Sequence, residues 1–166
     1  MKMTLEDKNE WIAALKSGDY VQGREVLMKT EWGVTTSCCL GVFCDLQAKK
    51  GLLKKTPLLK HYKITVFSFG RTTVYGDFST IALPIFLARR LDTDCSPIVP
   101  VSALSPKHQE LHSKRMSAVT DSVPITLPYL NDNLGLSFDE IADVLEKAIE
   151  VIPEYPPLVP TPRGLI

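Results

Sequence analysis

No stretch of 18 apolar residues occurs in this 166-residue chain, which excludes a membrane-spanning helix. The opening Met1-Lys-Met-Thr-Leu-Glu-Asp lacks the apolar core of a secretion signal. There is no Cys-x-x-Cys, and so no thioredoxin-type redox pair. A phosphate loop, Gly-x-Gly-x-x-Gly, His-Glu-x-x-His and Gly-x-Ser-x-Gly are absent as well, which removes the nucleotide, metalloprotease and serine-hydrolase readings that rest on them. Excess charge of either sign is lacking, with 19 Lys and Arg against 19 Asp and Glu. What is there, 45% hydrophobic and 23% charged residues, describes one soluble domain long enough for a proper core. Four cysteines with no secretion signal predict a reducing, cytoplasmic setting.

Three of those cysteines, Cys38, Cys39 and Cys44, fall in the apolar run Ser37-Cys-Cys-Leu-Gly-Val-Phe-Cys-Asp-Leu46. A structural zinc site needs about four thiolate or imidazole ligands, usually as spaced pairs. Adjacent Cys38 and Cys39 point about 100° apart on a helix. The helical neighbours of Cys38, Gly41 and Val42, cannot ligate a metal. His61, His108 and His112 are scattered, and Cys95 is distant. The thiols therefore read as small core hydrophobes, and no metal or cofactor is expected.

The pattern along the chain predicts an α+β fold. A small antiparallel sheet packs with three to four helices, in a single domain over residues 1–152. A Pro-rich tail over 153–166 follows, extended on the body or on a neighbour. Residues 5–17 have helical spacing and Gly18 as a stop. Residues 24–30 read as a short helix or an extended piece, broken at Trp32-Gly33. Residues 37–50 form the cysteine helix, capped by Ser37 and ended by Gly51, and 51–60 read as a loop. Lys63 to Phe69 is the clearest strand, with 72–78 as its hairpin partner. A helix near 80–91 starts at Ser79 or Thr80. Residues 92–106 are loop, 107–117 a surface helix or mobile loop, and 122–129 an extended piece. Ser137-Phe-Asp-Glu140 is a capping box opening a helix that runs to Pro153.

Three stretches carry a family resemblance. They are Trp11-Ile-Ala-Ala-Leu-Lys-Ser-Gly-Asp-Tyr20 with Gln22-Gly23, Cys38-Cys-Leu-Gly-Val-Phe-Cys-Asp-Leu46, and Leu130-Asn-Asp132 with Ser137-Phe-Asp-Glu-Ile-Ala-Asp-Val-Leu-Glu146. Together they resemble a group of small uncharacterised proteins of tailed phages and prophages, and they cover 34 of the 166 residues. Phe43 stands where that group has Leu, a conservative core exchange. The resemblance implies a phage origin and a role inside the infected cell. It brings no activity and no catalytic residues.

Charge is unevenly placed. Residues 46–76 hold seven Lys and Arg and no acid, whereas 121–166 hold eight acids and two bases. The two segments either pair with each other, within a chain or across a homo-oligomer, or mark a polyanion site. Between 60 and 75, Lys, Arg and aromatic residues alternate, a composition that suits a nucleotide or a single strand. The expected ligand contacts are Tyr62, Lys63, Arg71 and Tyr75, with Lys54 and Lys55 behind them. Phe67 and Phe69 read as core. The expected function is non-catalytic binding: a phage anti-defence protein that sequesters a small anionic, nucleotide-type ligand or a host factor in the host cytoplasm. Nucleic acid stays open as a partner; a membrane does not.

Two alternatives stand beside it. One is an adaptor or inhibitor that docks a host protein through the Pro-rich tail or residues 107–117. The other is a metal-dependent nucleotide hydrolase or nuclease using Asp77, Asp92 or Asp94. His108 and His112 form an i, i+4 pair without a third ligand, and Asn131-Asp132-Asn133 with Gly135 falls short of a calcium loop, so both read as non-metal features.

Overall fold

The computed structural model describes residues 1–57, 63–69, 78–116 and 124–155. Its most local instructions are its helix caps. Ser137 accepts from the Glu140 amide at 3.2 Å, while the Glu140 carboxylate accepts from the Ser137 amide at 2.9 Å. This reciprocal box starts α6 (Phe138–Ala148) as its spacing predicts. Thr4 caps α1 (Leu5–Lys16) by accepting from the Asp7 amide at 3.3 Å. On α6, Ile141, Val144 and Leu145 face inward and meet Trp11 and Leu15 of α1 in one core.

The cysteine helix α2 (Cys39–Lys49) runs through the middle of that core. Cys39, Leu40, Val42, Phe43 and Cys44 are all buried. The Trp11 indole donates to the Cys39 carbonyl at 3.0 Å, and its ring lies 4.7 Å from that of Phe43. Gly41 has a separate reason. A Cβ there would sit 1.6 Å from the Leu27 carbonyl oxygen, which already accepts from the Cys38 amide at 3.1 Å. Only glycine allows that approach of helix to backbone. The Cys-Cys-Leu-Gly motif is thus a packing device. Ser37 is not its cap: Ser37 ends a strand, and Cys38 takes the N-cap position with no side-chain bond.

Five strands run in the order β2 (Val21–Gln22), β4 (Val34–Ser37), β3 (Met28–Glu31), β6 (Lys63–Ser68) and β5 (Lys54–Pro57). β7 (Phe78–Ser79) pairs with β6 off this path. All pairings are antiparallel except β2 with β4. The mixed α+β class is as the pattern predicts. The expected loop at 51–60 contains β5 instead; Pro57 is tolerated because it ends an edge strand. A separate parallel pair joins β1 (Lys2–Thr4) to β8 (Glu150–Ile152). The last helix therefore ends at Ala148, and the residues before Pro153 are a strand.

Among the described residues there are six α-helices rather than three or four. The helix expected near 80–91 shortens to α3 (Ile85–Arg90), with Pro84 as its N-cap. Residues 92–105 carry one 3-10 turn, Val101–Ala103. The polar stretch after it is a full helix, α4 (Pro106–Met116). The expected extended piece gives way to α5 (Leu127–Asp132), capped by Thr126 with Pro128 in its first turn. The hairpin partner expected at 72–78 and most of the expected tail lie outside the described residues, apart from Phe78 in β7 and residues 153–155.

Candidate functional site

The expected ligand contacts do not converge on one described surface. Tyr62, Arg71 and Tyr75 lie outside the described residues. Lys63 opens β6 opposite Thr30, with its side chain outside the description. Lys54 and Lys55 are successive residues of β5, so the pleat sends them to opposite faces of the sheet. Lys55 turns to the helical side and pairs with Asp45 of α2. Asp45 is buried, and it also accepts from the Tyr20 hydroxyl at 2.6 Å and faces Lys49 at 3.1 Å. Burial alone would push the Asp45 carboxyl up; hydrogen bonds from Lys55, Tyr20 and Lys49 outweigh it and hold the carboxyl below its ordinary value. Lys55 is therefore a structural cation. Lys54 is exposed and has no carboxylate partner among the described residues.

Among the described side chains of the basic segment, Lys50 is matched by acids of α1. Lys50 contacts Asp7 and Glu10, both at 2.6 Å, and Glu6 at 3.6 Å. Buried Asp7 also accepts from Gln47 at 3.3 Å and from the Tyr155 hydroxyl. Burial raises the Asp7 carboxyl, but Lys50, Tyr155 and Gln47 together bring it below its ordinary value. The acidic helix α6 is met by α1 instead, through Lys8 to Glu146 at 3.2 Å and Lys16 to Asp143 at 2.8 Å. Of the basic and acidic segments, read as either pairing with each other or marking a polyanion site, Lys50 and the acids Asp143 and Glu146 are balanced through α1, and Lys49 and Lys55 by Asp45 of α2.

Of the residues weighed for metal chemistry, Asp92, His108 and His112 are engaged, and Asp94 is exposed. Asp92 has φ +48° and pairs with Lys2 at 3.1 Å. Asp77 lies outside the described residues. His108 is buried, with Nδ1 2.9 Å from the Ser105 hydroxyl and Nε2 3.3 Å from Glu140. His112 Nδ1 sits 3.4 Å from the Tyr129 hydroxyl. Among the described residues, no group of three or more His, Cys, Asp or Glu could hold a metal ion.

The Ser105–His108–Glu140 chain has the members of a hydrolytic triad, yet each is employed in structure. Ser105 also accepts from the His108 amide at 3.4 Å, and Glu140 closes the capping box of α6. The adjoining cavity of about 180 Å³ is smaller than the roughly 300 Å³ at which small-molecule sites begin. The chain staples α4 to α6.

The residue that sequence reasoning missed is Trp32. It occupies the tip of the β3–β4 hairpin with φ +52°, next to Gly33 at +81°. Consecutive left-handed residues make the two-residue turn that suits the twist of a hairpin, and its first position favours Asn or Gly. Tryptophan there is strained, and this indole is fully exposed. Val34 and Val21, both half exposed, share one face of the sheet beside it. The surrounding charge is neutral, because Lys29 pairs with Glu31 at 3.2 Å. The signal in the sequence was the pair Trp-Gly, where a hairpin turn calls for Asn-Gly.

No curated protein and no solved structure matches the chain. A family model does match, over residues 1–149, which takes in every helix and all but the last strand of the fold. The chain belongs to that family, a domain of unknown function designated DUF8296.

Proposed function

We propose that this is a non-catalytic binding protein that sequesters a host protein through the β3–β4 hairpin. A phage origin, carried by the motif resemblance, makes an anti-defence role in the host cytoplasm the natural setting. The observation that carries the reading is Trp32, fully exposed on a left-handed backbone. An isolated chain gains nothing from this arrangement. Both the strain, on the order of 1 kcal/mol, and the exposed indole are offset when the ring enters an apolar pocket on a partner. Tryptophan is enriched among residues that dominate binding energy. The neutral surroundings favour a protein over a polyanion. The docking surface thus moves from the tail and residues 107–117 to the hairpin.

Replacing Trp32 with Asn separates binding from folding. Trp32→Asn should raise stability by about 0.5–1 kcal/mol, because Asn accepts the left-handed region. It should also weaken the partner complex by about 30-fold or more, the 2 kcal/mol or so lost when a dominant aromatic is truncated. The partner is the protein that co-purifies stoichiometrically with the wild-type chain from infected cells. Undiminished affinity in the Asn variant would remove the hairpin from the interface.

Sequestration of a small anionic ligand is the second reading. Lys54 favours it, an exposed cation on an edge strand. In this form Lys54 stays among the contacts and Lys55 leaves them.

A further inference from the structure

We infer that residues 150–155 form a clasp that opens and closes as a unit on the folded domain, with Tyr155 as its latch. The segment starts where the family match stops, at residue 149. Among the described residues its strand, β8, has one neighbour, β1, in a parallel pairing of three residues. A two-stranded sheet is marginal by itself. The segment is also thinly covered, with Glu150, Val151, Pro153 and Glu154 exposed. Elements with few buried contacts are the ones that open locally, below the free energy of global unfolding.

What holds the segment lies at its far end. The Tyr155 hydroxyl donates to the buried Asp7 carboxylate of α1, and its ring lies 3.8 Å from the Arg90 guanidinium carbon at the end of α3. One side chain thus ties the segment to two helices, through a hydrogen bond strengthened by charge and a cation over a ring. Closure carries a cost as well. The Nε of Arg90, beside that ring, is buried without a hydrogen-bond partner. A buried donor left unmet disfavours the state that buries it. Lifting the ring lets water reach the guanidinium. Asp7 does not depend on the latch, because Lys50 at 2.6 Å and Gln47 at 3.3 Å still hold it. Helix α1 therefore keeps its anchor when the clasp lifts. The open state bares Arg90 and one oxygen of Asp7, a cation and a carboxylate that the closed state withholds from any partner.

Native-state amide exchange, followed by NMR on the full chain, tests the clasp. The Glu150 amide, bonded to the Met1 carbonyl at 3.1 Å, reports its opening. The Val42 amide, bonded to the Cys38 carbonyl at 3.1 Å in the buried helix α2, reports global unfolding. Protection at Glu150 should lie about ten-fold or more below that at Val42. Tyr155→Phe keeps the ring and loses the bond to Asp7. Protection at Glu150 should then fall about a further ten-fold, the loss of one hydrogen bond to a charged group. Ser137→Ala weakens α6 and lies outside the contacts of the clasp, so it should lower protection at Val42 about five-fold and leave Glu150 as in the wild-type chain. Equal protection of the two amides in the wild-type chain would overturn the inference. So would a Glu150 amide unmoved by Tyr155→Phe, or one that follows Val42 in Ser137→Ala. The wild-type and Ser137→Ala measurements decide the matter even where Tyr155→Phe does not fold.

Discussion

Burial pushes the Cys38 thiol up to about 11 and the Cys39 thiol well above its ordinary value. A thiol surrounded by hydrocarbon cannot shed its proton into so poor a solvent for the anion, and the thiolate is the reactive form. Cys44 is fully buried as well, and only Cys95 is partly open to solvent. Native protein at pH 8 should therefore show at most one fast-reacting thiol per chain toward Ellman's reagent. All four should react in guanidinium. A second fast thiol in the native state would contradict the packing role given to the motif. Trp32 is the converse case at the same scale: its chemistry is ordinary, and its position gives it meaning.

Among the elements, α6 depends on its first turn. Ser137 and Glu140 satisfy amides that the helix itself leaves unpaired, and Glu140 additionally holds His108 of α4. The Ser137 amide beside its carboxylate, followed by the charges of His108 and Lys107, holds Glu140 below its ordinary value against a smaller upward push from burial. Ser137→Ala should cost about 1 kcal/mol, the usual worth of an N-cap. Glu140→Gln should retain part of the box, since an amide oxygen still accepts from the Ser137 amide. Denaturant melts of the two variants check the order. This helix was legible from its spacing and its capping pattern. The strand β5 was not, because Lys-Lys-Thr-Pro has no apolar alternation; it is a strand only because β6 offers it a pairing edge. The polar stretch 107–117 hid a buried histidine for the same reason: nothing local announces Ser105 and Glu140 as its partners.

At the scale of the molecule, Asp7 and Asp45 govern the response to acid. Both carboxyls sit below the ordinary value of 3.8 in the folded chain. The unfolded chain then binds more protons than the folded one near that pH, so stability falls as the pH drops. Their contribution is fully present above about pH 5 and is lost as the pH falls through the folded values. Lys50 is shifted the other way. Burial opposes the shift, but Asp7 and Glu10 raise its ammonium above the ordinary 10.5, so its contribution is lost only in strong alkali. Unfolding free energy measured from pH 2 to 7 should fall steeply below about pH 4. Asp45→Asn should flatten that fall and cost about 2 kcal/mol at neutral pH, by leaving the charges of Lys55 and Lys49 unmatched. A slope unchanged in this variant would place the acid response elsewhere.

The sequence by itself determined the fold class, α1, α6, the core of β6 and the burial of Cys38, Cys39 and Cys44. Those features rest on periodicity, caps and side-chain type, which act over a few residues. Only the tertiary structure decided which charges are spent. Lys55 is consumed by a carboxylate on α2, and Lys2, from the start of the chain, by Asp92 after α3. It also decided that Phe67 is buried while Phe69 stacks at the surface on Phe86, 3.6 Å away. Such outcomes depend on which distant segment arrives opposite a residue, and no local pattern encodes that arrival.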